Sequence, residues 1–158
     1  MGNTGNYSIE EANRFFAVYF NNEVWRLLGS DSQSEDDKRE IIHLAHASLA
    51  HWRRRKDCKI KNLSRGEYLI AIAYINAGRK EPAMHHAGSC LEITQSHPAE
   101  MDDFDLAHAH LIMGWASHLN GNSREAGNYF SEAKRLGEGI KNVKDKEIFL
   151  SDLKMMTK

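Results

Sequence analysis

A helix-turn-helix pattern written twice constrains this chain more than any other feature. The first copy, GEYLIAIAYINAGRKEPAMHHAGSCLE, runs from Gly66 to Glu92. The second, AHLIMGWASHLNGNSREAGNYFSEAKR, runs from Ala109 to Arg135. Gly78 aligns with Gly121, Ala73 with Ala116 and Ala83 with Ala126, a period of 43 residues in the range of helical repeats. One such unit cannot bury its apolar faces alone. It stacks on neighbours, and stacking leaves long surfaces suited to holding another molecule.

Helix signals fill the rest of the chain. Ser8 and Glu11 form a capping box, and the helix after them carries Phe15, Phe16, Tyr19, Phe20, Val24, Trp25, Leu27 and Leu28 before Gly29 stops it. An acidic loop, residues 30–37, leads into a second helix with the stripe Ile42, Ala45, Leu49, Trp52. Its end is Arg53, Arg54, Arg55 and Lys56, cations suited to the negative pole. The first repeat reads as helices 64–77 and 80–95 with the turn at Gly78. The second reads as 104–119 and 123–139, with Asn122 and Glu125 as a cap pair. A last helix, 144–156, covers the open end. Both prolines, Pro82 and Pro98, fall near helix ends, and no strand-period run competes. These signals predict an all-α, right-handed stack of antiparallel helix hairpins, about seven helices in one domain over 1–158. Its parts are a helix pair at 8–62, repeats at 64–95 and 104–139, and a capping helix at 144–156.

Composition narrows the function classes. A formal net charge of −1 gives no bulk field toward nucleic acid or an anionic membrane. No apolar run approaches the ~20 residues that span a bilayer. The N-terminus lacks a secretory pattern, so the sequons at Asn6 and Asn62 read as accidental. Cys58 and Cys90 form no CxxC pair. The expectation is a reduced, cytoplasmic protein without a bound cofactor.

Gly114, Ala126, Phe130 and Ala133 in the second copy are spaced so that small residues let paired helices approach and an aromatic fills the gap beside them. In the first copy Ala71, Ala83 and Cys90 stand opposite Gly114, Ala126 and Ala133, and Tyr74 adds an aromatic on the first helix. On these residues the chain resembles the tetratricopeptide (TPR) family. It departs at Ala87, Glu67 and His110, and its period exceeds that family's 34 residues. Residues 45–92 also resemble a group of uncharacterised bacterial proteins. His51-Trp52-Arg53, Arg65-Gly66-Glu67-Tyr68 and Gly78-Arg79 followed by Glu81-Pro82-Ala83 carry that likeness. It implies a shared fold and a bacterial, cytosolic setting.

Carried over residue by residue, the TPR resemblance implies a groove face of Arg65, Tyr68, Ile72 and Ile75, continued by His108, Leu111, Trp115 and His118. The spacing 108, 111, 115, 118 keeps the second set on one helix side. The expected function is a non-catalytic protein–protein interaction module or adaptor. Trp115 and Tyr68 are its apolar anchors, and Arg65, His108 and His118 set its polarity. The partner is a protein or peptide, or a second copy in a homo-oligomer. Terminal-carboxylate capture, as in chaperone-binding TPR domains, is not expected, because Tyr68, Ile72, Leu111 and Trp115 stand where that clamp places Lys and Asn.

Other constellations are weaker. Glu40 with His43, His46 one turn on, and Asp105 with His108 form carboxylate-x-x-His pairs that two facing helices could join into a metal site. That is the alternative reading: a metal-binding helical protein or metalloenzyme. Arg53, Arg54, Arg55, Lys56, Lys59, Lys61 and Arg65 could touch phosphates in a regulatory module, but no recognition motif accompanies them. Glycine-loop, nucleophile-elbow and His-Glu-x-x-His motifs are absent. Cys58 has a basic context that could lower its pKa, but no partner His is fixed beside it, and the expectation is a plain surface thiol. His85 and His86 are expected to diverge by about 100° on a helix.

Overall fold

The computed structural model describes residues 7–156; the Asn6 sequon lies outside them. Seven α-helices and no strand occur among these residues: α1 Ile9–Leu28, α2 Glu35–Arg53, α3 Ile60–Asn76, α4 Lys80–Ser96, α5 Asp103–Leu119, α6 Ser123–Glu138 and α7 Val143–Met156. One 3-10 turn, Pro98–Glu100, precedes α5. No helix is long and apolar enough to cross a membrane.

Helix starts follow their caps. Ser8 and Glu11 close the expected capping box on α1. Ser34 and Asp37 close another on α2, at the end of the acidic stretch 30–37. The helix expected at Ser64 begins four residues earlier, at Ile60, because the Asn62 side-chain Oδ1 accepts the Lys59 N–H at 2.9 Å and starts a turn within the basic connection. At α6 the expected cap pair fails: the Asn122 side chain makes no cap bond.

The repeat is faithful at its turns. Gly78 and Gly121 are the two described residues with positive φ, +67° and +85°. Each sits in the same double bond pattern. Gly78 N–H donates to Ile75 and Arg79 N–H to Tyr74; Gly121 N–H donates to His118 and Asn122 N–H to Ser117. That is a Schellman closure, which favours glycine at the left-handed position.

α1 packs on α2, α3 on α4 and α5 on α6. Between these pairs α2 meets α3 and α4 meets α5, while α1, α3, α5 and α7 touch in sequence. Cross-pair bonds run from the start of one helix to the end of its partner, so the pairs are antiparallel. His51 Nδ1 lies 2.8 Å from Asn13 Oδ1, and Ser64 Oγ lies 2.6 Å from Thr94 Oγ1. Close approach depends on the small residues. A Cβ at Gly114 would stand 2.6 Å from the Phe130 ring, which is the small–aromatic fit the sequence suggested.

Two apolar clusters form the core. Ile41, Ala45, Leu49, Val24, Leu69, Ile70 and Ala73 join α1, α2 and α3. The α2 stripe is therefore centred on Ile41, and Ile42 and Trp52 are only half-buried. The second cluster joins Tyr68, Ala71 and Ile72 to Ala107, Leu111, Ile112, Ala133 and Phe149. α1 buries Asn13, Ala17 and Val24, and leaves much of its aromatic surface outward.

His51 couples this packing to pH. Its ring lies against Phe16 and Phe20, with centroids 5.4 and 5.8 Å away. Burial, and then the Arg54 charge, push its pKa below the ordinary imidazole value. The unfolded chain therefore takes up this proton more readily, and stability falls as pH drops below about 6.5. His51→Gln keeps a donor for Asn13 but does not titrate. Thermal melts should show a smaller fall in Tm between about pH 7 and pH 5 for His51→Gln than for the parent. Equal falls would remove His51 as the cause.

Candidate functional site

Four helices that touch in sequence, α1, α3, α5 and α7, enclose a cavity of about 350 Å³. α1 contributes Asn21 and Trp25; α3 contributes Ser64, Arg65, Tyr68 and Leu69; α4 reaches in with Cys90. Phe104, Asp105 and His108 come from α5, and Ile148 and Asp152 from α7. The walls are mainly apolar. Trp25 and Ile148 are exposed at the rim, while Tyr68 is only 9% exposed.

Polar groups around the cavity are nearly all tied down. Arg65 Nε donates to Asp105 Oδ1 at 2.6 Å, and its Nη2 reaches Asp105 Oδ2 and Asp102 Oδ2 at 3.2 and 3.1 Å. Burial would lower the Arg65 pKa, but the Asp105 bond and the charges of Asp105 and Asp102 outweigh it and raise the value. Asp105 Oδ2 also accepts the Asp102 N–H, so one carboxylate both starts α5 and holds α3. His108 is fixed at both ring nitrogens, by the Phe104 carbonyl at 3.1 Å and Asp152 Oδ2 at 3.0 Å. Ser64, Thr94 and Cys90 bond among themselves.

The exception is the Tyr68 hydroxyl. It is buried and has no hydrogen-bond partner among the described residues. Burial, then the charges of Asp152 and Cys90, push its pKa well above the ordinary phenol value, so it keeps a proton to donate. A buried polar group without a partner costs about 1–3 kcal/mol, which a suitable bound group would recover.

Only part of the predicted groove face lines this cavity. Arg65, Tyr68 and His108 do. Ile72 and Leu111 are buried in the core and do not line the cavity. Ile75 and Trp115 are half-buried against the same cluster, and His118 is exposed toward the far end of α5. The other aromatics lining the cavity are Trp25, which stacks on Tyr68 with centroids 6.4 Å apart, and Phe104, 4.0 Å from the His108 ring. Both were visible as apolar residues. Nothing local to either helix tells that it faces α3.

The alternative constellations dissolve. Glu40, His43 and His46 are exposed on α2, while Asp105 and His108 are buried on α5 with Arg65 and Asp152 as partners. No group of three or more His, Cys, Asp or Glu among the described residues could hold a metal ion. His46 instead meets Tyr74, its Nε2 3.0 Å from the hydroxyl, and His86 bonds Glu67 at 2.6 Å. His85 and His86 do touch, with ring centroids 5.0 Å apart, despite their angular separation on α4.

The basic run is largely consumed internally. Arg55 grips Asp57 with two bonds, at 2.8 and 2.7 Å, and lies 4.2 Å over the Trp52 ring. Lys61 pairs with Asp102 at 3.1 Å and Arg65 with Asp102 and Asp105. The Cys58 thiol is pushed up by burial, which outweighs the Arg55 charge, so the neighbouring cations do not activate it. Cys90 is pushed up to about 12 by burial.

Comparison with protein-family models, with curated proteins and with solved structures finds no match to this chain. The cavity is thus the feature from which a function can be argued.

Proposed function

We propose that this chain is a non-catalytic binding module, a TPR-like right-handed stack of helix hairpins. It holds a peptide segment of a partner protein against α1, α3, α5 and α7. The single observation that carries the reading is the cavity: apolar walls, a volume of about 350 Å³, and one buried lining hydroxyl, Tyr68, without a partner among the described residues. An apolar pocket with few placed polar groups is the usual form of a recognition site. The paired turns at Gly78 and Gly121, the sequential contact of α1, α3, α5 and α7, and the Gly114–Phe130 fit support the hairpin-stack reading.

In this mechanism an apolar side chain of the partner enters between Trp25 and Phe104. A polar atom beside it accepts the Tyr68 proton. Arg65 and Asp105 keep α3 and α5 at the spacing the cavity needs.

Selection from a random peptide display library, followed by calorimetry, tests this. The expected result is a motif with one invariant apolar residue. Its binding should weaken about tenfold in Tyr68→Phe and more in Trp25→Ala, both still folded. A selection that yields no motif, or one whose binding ignores both substitutions, would overturn the reading.

A further inference from the structure

We infer that the outward face of α1 is a self-association surface and that a second copy of this chain occupies it, the two α1 helices running antiparallel. This proposal is independent of the cavity. The outer side of α1 carries Phe15 at 60% exposure, Tyr19 at 45% and Val18 at 43%. These residues line one shallow groove together with Glu11, Arg14 and Asn22. Tyr7 and Ile9, just before it and at its start, are also exposed. Contiguous apolar surface of this kind marks an interaction site on a water-soluble chain.

The charges select the occupant. The first turn of α1 is acidic, with Glu10 and Glu11, and its last turn carries Arg26. Arg26 already holds Glu23 of its own helix at 2.8 Å but stays 64% exposed, so a helix with an acidic start and this open guanidinium near its end complements itself when reversed. A two-fold axis between Val18 and Tyr19 brings Glu11 of one copy level with Arg26 of the other, and Phe15 level with Asn22. The apolar residues then meet at the centre, with charges at both ends, as in an interface with a dry core and a polar rim. Antiparallel helix dipoles favour the same arrangement. Every contact is made twice, as two-fold symmetry requires, so each favourable pair is doubled.

Sedimentation equilibrium of the full chain across micromolar to near-millimolar concentration tests the proposal, with circular dichroism as the fold control. The expected result is a concentration-dependent dimer, lost in Phe15→Asp/Tyr19→Asp while helix content stays unchanged, because both side chains are already in water. Arg26→Glu alone should raise the dimer Kd about tenfold or more through like-charge contacts with Glu11. Adding Glu11→Arg should bring it back toward the parent value. A chain that stays monomeric throughout, a dimer that survives the Phe15 and Tyr19 substitutions, or a charge swap that fails to restore pairing would each overturn it.

Discussion

Phe149→Ala should lower the stability of this protein by about 3–5 kcal/mol, the largest effect expected of any single truncation in it. Phe149 is fully buried and is the largest such side chain among the described residues. It lies where Gly137 leaves no Cβ, so its ring sits directly against the α6 backbone. Its other face meets the His108 ring edge-on, with centroids 5.1 Å apart. No other described side chain on α7 is as deep, so among them this ring does most of the docking of α7 onto α5 and α6. Removing it opens a cavity and loosens the helix that holds Asp152 against His108. A loss of about 4 kcal/mol corresponds to a fall in Tm of about 8–16 °C for a chain of this size. Urea denaturation and calorimetry measure it. Limited proteolysis should cut α7 first. A loss below about 1 kcal/mol would mean that α7 is not held by this ring.

The second large effect is an asymmetry between two partners of one ion pair. The Asp105 side chain is 1% exposed, whereas Arg65 is 47% exposed. Arg65→Ala strands a buried carboxylate, and losing one partner of a fully buried pair costs about 3–5 kcal/mol. Water reaches the open side of Arg65, so the expected loss here is discounted to about 2 kcal/mol. Asp105→Ala leaves a half-exposed guanidinium that still has Asp102, so its loss should be about 1 kcal/mol, part of it from the missing bond to the Asp102 N–H. A double-mutant cycle in urea separates these contributions. Equal losses from the two single variants would refute the burial argument. The same pair braces α3 against α5, so both variants should also weaken any ligand of the cavity.

Most of the secondary structure was legible in the chain, because its causes are local. Ser8 with Glu11 starts α1, and Gly78 and Gly121 end α3 and α5 by identical bonds. The boundary missed by most residues, at Ile60, failed for a local reason too: Asn62 supplies a cap that a basic stretch had obscured. The face of each helix was less legible. Ile72 and Leu111 share a periodic position with Tyr68 and His108, and periodicity cannot say which of them a neighbouring helix will cover. The core takes the first two, and the cavity keeps the others.

The sequence by itself determined an all-α chain, where its helices turn, and which small residues admit close packing. Tertiary structure alone decided that Trp25, Tyr68, His108 and Asp152 share one cavity. Those residues span 127 positions and four helices, with Asp152 brought to His108 across 44 positions. Helix propensity and capping act within a few residues, so a sequence displays them. Burial and pairing depend on which distant surface arrives, and only the packed chain settles that.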